Sequence, residues 1–121
     1  MTPLSAPAEA QAYELAVLIL YLDLPDTAGN AGVSDRQQAR RWFQRGVPLR
    51  VVETALALGS LRRLTRPAQA PPLASIRSLA YFQPVVEELL AAPVPDGYGI
   101  YLQRKLQPHL RSQAGAHRAT G

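Results

Sequence analysis

Apolar positions along the chain recur mostly with the helical spacing of three and four residues. From Ala8 to Leu24, strong helix formers surround an almost continuous apolar centre, and this pattern predicts a buried helix. The β-branched and aromatic residues of this segment would also suit a buried strand, but the segment is too long for one. Leu24-Pro25-Asp26 ends the predicted helix, and the glycines of 27–33 indicate a flexible connector.

The second predicted helix begins at Ser34, where the local signal is clearest. Ser34 and Gln37 have the spacing of a capping box, in which the serine hydroxyl accepts from the Gln37 amide and the glutamine side chain reaches back. The helix is predicted over 35–45 and ends before Gly46, a residue type common just beyond helix C-termini. Pro48 then suits the first turn of a third helix.

That third helix is predicted over 48–64. Gly59-Ser60 marks a point where it weakens or ends early, because glycine is a poor helix former. The stretch 67–72 (PAQAPP) is rich in proline and therefore predicts a link rather than a packed element.

The remaining helical pattern is divided by prolines. Over 73–92 the apolar residues again recur at helical spacing, but Pro84 interrupts them. This predicts either a kinked helix or two helices that meet near Gln83. A last short helix follows, with Asp96 as its N-cap residue.

These elements predict an all-α fold, a compact bundle of four to six short helices with a disordered C-terminal tail. We expect a flexible leader over 1–7, a single helical domain over 8–107, and a disordered tail over 108–121, where no apolar period is found. The predicted core consists of Leu15, Leu18, Trp42, Phe43, Val52, Leu56, Leu79, Val86 and Leu89.

Composition narrows the class of protein further. With 121 residues, of which 47% are hydrophobic and 18% charged, the chain is typical of one globular domain. The absence of cysteine excludes disulfides, thiolate zinc sites and cysteine nucleophiles, and it fits a reducing compartment. The longest apolar run, Leu15–Leu22, is too short to span a bilayer and follows no basic segment. We therefore expect a cytoplasmic protein with no membrane contact.

The net charge of +4 hides a segregation of charge along the chain. Residues 1–26 hold four acids and no base, whereas residues 27–77 hold nine arginines against two acids, a local charge of +7. The local charge is −3 over 78–96 and +4 over 97–121. Arginine favours planar recognition of phosphate or carboxylate. The alternative interpretation is that arginine replaces lysine because the coding DNA is rich in G and C.

The second predicted helix carries arginine and glutamine opposite an apolar stripe of Ala39, Trp42 and Phe43. Guanidinium groups can contact the phosphates of a nucleic acid. In a helix-turn-helix the second helix reads the bases, but here the second of the two helices is mostly apolar. We therefore expect contacts with the phosphate backbone of the nucleic acid rather than base reading. A solvated face without a ligand is the alternative. Trp42-Phe43 would suit stacking on single-stranded bases, but their spacing favours the core. The candidate nucleic-acid-binding residues are Arg36, Arg40, Arg41, Arg45, Arg62, Arg63 and Arg66.

Groups suited to catalysis or metal binding are scarce. His109 and His117 lie in the predicted tail without neighbouring ligands, and the adjacent carboxylates Glu87-Glu88 diverge on a helix. The glycines of 29–32 lack the GK[ST] ending of a phosphate loop. We therefore expect no enzyme activity, no cofactor and no metal.

Two segments resemble a known family. The run 41–49 (RWFQRGVPL), with the apolar residues of 51–56, resembles the W-x-x-x-G-[apolar]-x-x-x-[apolar]-[apolar] core of DnaD-type helical domains. The segment 76–82 (IRSLAYF), which leads into 85–87, is similar to their later S-x-x-Y-[apolar] segment. The resemblance covers 34–90. Such domains occur in replication initiators and primosome components, so it implies DNA binding with self-association or helicase-loader contacts.

The sequence thus predicts a non-catalytic, DNA-associated protein, an accessory of replication initiation that binds the phosphate backbone through its arginines. The patterns do not distinguish DNA from RNA. The alternative is a protein-interaction module, either a homodimer or a subunit of a larger assembly, with no nucleic-acid role.

Overall fold

The structure, a computed structural model, describes residues 6–113. Within this range the helical segments are α1 (Ala6–Asp23), α2 (Val33–Gln44), α3 (Leu49–Leu64), a 3₁₀ turn (Leu79–Phe82), α4 (Gln83–Ala91), α5 (Asp96–Leu106) and a second 3₁₀ turn (Gln107–His109). Strands are absent from this part of the chain, where an isolated parallel bridge pairs Thr27 with Ile76. The predicted all-α bundle is confirmed. None of the helices in residues 6–113 has the length and apolar character needed to cross a membrane.

α3 lies at the centre of the fold. It packs against α1, α4 and α5, while α2 packs against α1 and the first 3₁₀ turn. The shared core contains the fully buried rings of Trp42, Tyr21 and Phe82 together with aliphatic side chains from each of the five α-helices. Each large apolar side chain removed from water in this way contributes about 1.5–3 kcal/mol, so the interior is the main source of stability.

Most of the predicted core is confirmed, and the assignment of one residue, Leu15, to the core is wrong. Leu18 and Phe43 are partly buried against the core, but the side chain of Leu15 is 60% exposed. The reason is that α1 is apolar on nearly every side, yet it meets the rest of the fold only through the face that carries Val17 and Tyr21. The predicted core residues that are buried are Trp42, Val52, Leu56, Leu79, Val86 and Leu89.

The start of α2 differs from the predicted capping box. Gly32 is the N-cap residue, so Ser34 lies inside the first turn and makes no cap with Gln37 in the described part of the chain. Asp35 takes over instead: its buried carboxylate accepts from the Gly32 amide at 2.8 Å and from the Leu79 amide at 2.9 Å. One side chain therefore caps α2 and ties it to the first 3₁₀ turn.

α3 continues without interruption past Gly59-Ser60 to Leu64. The ring of Phe82 lies directly against Gly59, where an added Cβ would stand 2.8 Å from two ring carbons. Glycine is present in this helix because it lets a buried aromatic ring approach the backbone, and tertiary packing offsets its low helix propensity.

The segment predicted as helical from residue 73 is extended as far as Ser78. The amide of Ile76 donates to the carbonyl of Asp26 at 2.8 Å, and the Ile76 side chain is buried. The first 3₁₀ turn then meets α4 at Gln83, so two helical segments form instead of one kinked helix. Pro84 lies in the first turn of α4, where a missing amide donor costs nothing.

The packed part of the chain extends beyond the predicted boundary at 107. Leu110 is buried in the core, and the amide and hydroxyl of Ser112 donate to the carboxylate of Asp23 at 2.7 and 2.8 Å. The start of the predicted tail is thus held against the end of α1. The rest of that tail, 114–121, lies outside the described residues.

Two helix starts also differ from prediction. Asp96 is the first residue of α5, with Pro95 as the N-cap residue. α1 begins at Ala6, inside the predicted leader 1–7, and residues 1–5 lie outside the described part of the chain.

Candidate functional site

Three of the predicted arginines share a groove on the surface of α2. Arg36, Arg40 and Arg41 line a shallow depression of about 410 Å³ that also contains Glu14 of α1 and Gln44. The burial of Trp42 and its neighbours on the opposite face of α2 turns these polar side chains toward solvent. We call this depression the arginine groove.

The arginine groove keeps a surplus of positive charge. Nε and Nη2 of Arg40 both donate to one oxygen of Glu14, at 3.1 and 2.5 Å. Arg41 donates only to the neutral side chain of Gln38, at 3.2 Å. The side chain of Arg36 has no hydrogen bond or ion pair to any residue of 6–113. Three guanidinium groups therefore face one carboxylate.

Arg45 belongs to a polar network between α2 and α4. Its Nη1 donates to Glu87 Oε1 at 2.6 Å, and the same oxygen accepts from Gln83 Nε2 at 3.1 Å. Gln83 Oε1 in turn accepts from the buried indole Nε1 of Trp42 at 2.5 Å. The hydrogen bond from Arg45 lowers the pKa of Glu87. The guanidinium group of Arg45 is therefore already paired with a carboxylate of the chain.

Arg62 is paired on a different side of α4. It donates two parallel hydrogen bonds to Glu88, at 2.8 and 2.6 Å, and these lower the pKa of that carboxyl. Because adjacent residues of a helix point about 100° apart, the arginines bound to Glu87 and Glu88 cannot lie on one face of α4. The two carboxylates likewise point in different directions, and each is bound to a different arginine.

The last two arginines hold the segment that follows α3. The side chain of Arg63 is only 8% exposed, forms an ion pair with Asp26 and donates to the carbonyl of Ala74 at 2.7 Å. Arg66 donates to the carbonyl of Pro71 at 2.9 Å. Both side chains fasten the proline-rich link to the C-terminal end of α3.

The structure thus brings three of the seven predicted arginines into one groove, where Arg40 is paired with Glu14, and it gives the other four partners outside that groove. The acidic partners of Arg45, Arg62 and Arg63 are 42, 26 and 37 residues away in sequence. Patterns within one helix cannot reveal such partners. The signal that was present is the charge segregation, because acidic blocks stand on both sides of the basic middle.

The aromatic pair of α2 belongs to the interior. Trp42 is fully buried, and Phe43 packs edge-on against Tyr13 with ring centroids 5.4 Å apart. The preferred interpretation of this pair as core is confirmed, and Trp42 presents no face on which a base can stack.

Candidate metal ligands do not converge in the part of the chain that the structure describes. No group of three histidine or acidic side chains in residues 6–113 is placed to hold a metal ion. His109 is exposed at the end of the second 3₁₀ turn, and His117 lies outside the described residues.

The outer face of α1 is a feature that the sequence prediction missed. Ala12, Leu15, Ile19 and Leu22 follow one another at intervals of three or four residues on the side of the helix that points away from the core. Leu15 and Ile19 are each 60% exposed. We call these four residues the α1 stripe. The signal in the sequence was the absence of any polar face on this helix.

No family model, curated protein or solved structure matches this chain. The resemblance to DnaD-type domains therefore stays a prediction, and inferences about function depend on the surfaces described above.

Proposed function

We propose that this protein is a non-catalytic interaction module that self-associates through the α1 stripe. The observation that carries the proposal is the exposure of Leu15 and Ile19, two large aliphatic side chains adjacent on one helix face and both 60% exposed. Neighbouring apolar residues that point to solvent mark protein-interaction surfaces far more often than scattered ones do.

The α1 stripe is complementary to a second copy of itself. In an antiparallel pair of α1 helices crossing near residue 17, Leu15 of one copy faces Ile19 of the other, and Ala12 faces Leu22. Each contact then occurs twice, as a two-fold axis requires. The small Ala12 opposite the larger Leu22 also allows the two helices to interdigitate.

Charge opposes this pairing only in part. Glu14 is paired with Arg40 and Asp26 with Arg63, whereas Glu9 and Asp23 keep their negative charge. The repulsion between two copies is therefore modest, and salt screens it because these acids are at the surface.

The strength of the association follows from the area that the stripe offers. Full burial of leucine or isoleucine contributes about 1.5–3 kcal/mol, so four side chains that are 60% exposed offer roughly 4–7 kcal/mol, with a smaller addition from Ala12 and Leu22. Association costs about 4 kcal/mol or more in lost freedom. The net gain is therefore at most about 3–4 kcal/mol, so we expect a weak, reversible dimer with a dissociation constant of about 1 mM or weaker.

Sedimentation analysis of the full chain between about 0.1 and 3 mM tests this proposal. The double variant Leu15→Lys/Ile19→Lys should remain monomeric, whereas Leu73→Lys, which changes another exposed leucine just after the proline-rich link, should dimerise like the parent. Circular dichroism should be the same for all three proteins. A parent chain that is monomeric throughout would overturn self-association, as would a double variant that still dimerises.

As a second function we propose that the arginine groove binds the phosphate backbone of DNA. The supporting observation is the surplus of two positive charges among Arg36, Arg40, Arg41 and Glu14. Three phosphate contacts give a slope of log affinity against log salt near −2.7, whereas seven would give about −6. The groove alone therefore supports weak binding with a shallow dependence on salt.

Fluorescence anisotropy with a labelled duplex at several salt concentrations tests this second function. Arg36→Gln should weaken binding and flatten the slope by about 0.9. Arg77→Gln removes the same charge from another exposed arginine outside the groove and should have little effect. Equal losses in the two variants, or no binding at low salt, would reject the groove as a DNA site. A single-stranded RNA of the same length shows whether the contact prefers DNA.

A further inference from the structure

A cleft between α3 and α5 lies apart from the surfaces discussed so far. It encloses about 340 Å³, at the small end of the range typical of ligand pockets, and its walls are mainly apolar. Val51 of α3, Val94 of the α4–α5 connection and Ile100 of α5 form much of the wall. The two prolines beside Val94 restrict the backbone there, so this wall is already ordered without a ligand.

The cleft exists because α3 and α5 come very close at one point and diverge from it. An added Cβ on Gly99 would stand 2.7 Å from the Thr54 hydroxyl oxygen, so the backbone of α5 lies directly against the Thr54 side chain of α3 there. Both residues line the cleft and form its base. The space is therefore a product of helix packing.

The cleft contains one carboxylate without a partner. Glu53 is half-buried in its wall, and its carboxylate makes no hydrogen bond or ion pair with any residue of 6–113. Burial raises the pKa of this carboxyl, because its charged form loses water. A half-buried carboxylate that no side chain of the described residues neutralises can pair with a cation that a ligand brings into the cleft.

The other charged groups at the cleft do not supply that cation. Arg50, one turn before Glu53 on α3, points to Asp96 at the start of α5, and their nearest atoms are 3.8 Å apart. Both side chains are largely exposed, at 74% and 83%, and they neutralise each other at the mouth. Glu53 therefore leaves the cleft with a charge of −1.

We propose that this cleft is a binding site for a small organic cation, in which an apolar body fills the space between α3 and α5 and an ammonium group pairs with Glu53. The amide side chain of Gln103, which also lines the cleft, can accept a further hydrogen bond from the ammonium. The site shares no residue with the α1 stripe or the arginine groove, so its failure would leave the proposed function unaffected.

Two probes of the same shape test the inference on the full chain. 2-Phenylethylamine carries an ammonium group, and 2-phenylethanol places a neutral hydroxyl at the same position. In a ¹⁵N-resolved NMR titration at pH 7, the amine should shift the amides around Gly99 and Gln103 with a dissociation constant of about 1 mM. The alcohol should bind at least about tenfold more weakly, because it leaves Glu53 unpaired.

Variants locate the charge that is recognised. Glu53→Gln should reduce the affinity for the amine about tenfold or more, down to that of the alcohol. Glu9→Gln removes the same charge from an exposed carboxylate of α1, away from the cleft, and should change the affinity less than about threefold. Equal binding of the two probes to the parent protein would overturn the proposal, and so would shifts confined to another surface or no binding at about 10 mM. The comparison of probes needs no variant, so it stands even if Glu53→Gln does not fold.

Discussion

Replacement of Asp35 by alanine is expected to cost this protein a large part of its stability. Its carboxylate joins two segments that are 44 residues apart, through the amide of Leu79 in the first 3₁₀ turn and the amide of Gly32 at the start of α2. No other acceptor is bonded to either amide in the described part of the chain. Alanine removes both hydrogen bonds at once.

The magnitude follows from the burial of the two amides. Loss of a helix N-terminal cap costs typically about 1 kcal/mol. The Leu79 amide is buried, and a buried donor left without an acceptor costs about 1–3 kcal/mol. The sum is about 2–4 kcal/mol, against a total of roughly 5–15 kcal/mol for a domain. At about 4 °C for each kcal/mol, Tm should fall by about 8–16 °C.

Ser34→Ala is the matched control, because it changes the adjacent residue, which the sequence pattern designates as the cap. Ser34 is exposed in the first turn of α2, and its hydroxyl makes no hydrogen bond within residues 6–113. We expect a change within about 0.5 kcal/mol. The loss of stability in Asp35→Asn should lie between those of the two alanine variants, because the amide oxygen can accept one hydrogen bond but the NH₂ group cannot accept the other.

Urea unfolding followed by tryptophan emission measures these differences directly. Trp42 is the single tryptophan of the sequence and is fully buried, so its emission reports loss of the core. If Ser34→Ala proved the more damaging change and Asp35→Ala were nearly neutral, the serine capping box would be correct and the assignment of Asp35 as the cap would be wrong.

Three further changes probe other features of the fold by the same unfolding assay. Gly59→Ala should lower the free energy of unfolding by about 1 kcal/mol. The new methyl group is strained against the ring of Phe82 by typically 1–3 kcal/mol, which exceeds the gain of about 1 kcal/mol in helix propensity. Gly97→Ala is the control, because Gly97 has open space around it and its replacement should be neutral or stabilising. Gly46→Ala should cost about 1–2 kcal/mol because φ is +76° there, and an equally stable variant would contradict this. Glu53→Gln should stabilise the protein at pH 7 but not at pH 3. The pKa of Glu53 is raised in the folded state above 4.5, the ordinary value of this carboxyl. The parent protein therefore loses stability as the pH rises from 4.5 through the folded-state pKa, and the glutamine variant does not. A stability difference that does not depend on pH would show that burial of the Glu53 charge has no energetic consequence.

The arginines show which parts of the candidate sites can be predicted from the sequence. The polar face of α2 follows from helical spacing, and the structure accordingly places Arg36, Arg40 and Arg41 together. The acids that bind Arg45 and Arg62 come from α4, far along the chain, and become visible only when α4 packs beside α2 and α3. The same applies to the cleft of Glu53, which is formed by two helices that are not consecutive.

The sequence by itself determined the helical class, the approximate extent of α1, α2, α3 and α5, the presence of a kink or break near Gln83, and the burial of Trp42. These features depend on residues within one or two turns of each other, where side-chain spacing and backbone propensity act directly. Tertiary structure decided which face of α1 is buried, that Asp35 rather than Ser34 caps α2, and that Leu110 joins the core. Each of these depends on a partner many residues away, and only the packing of whole helices against one another sets the distance to that partner.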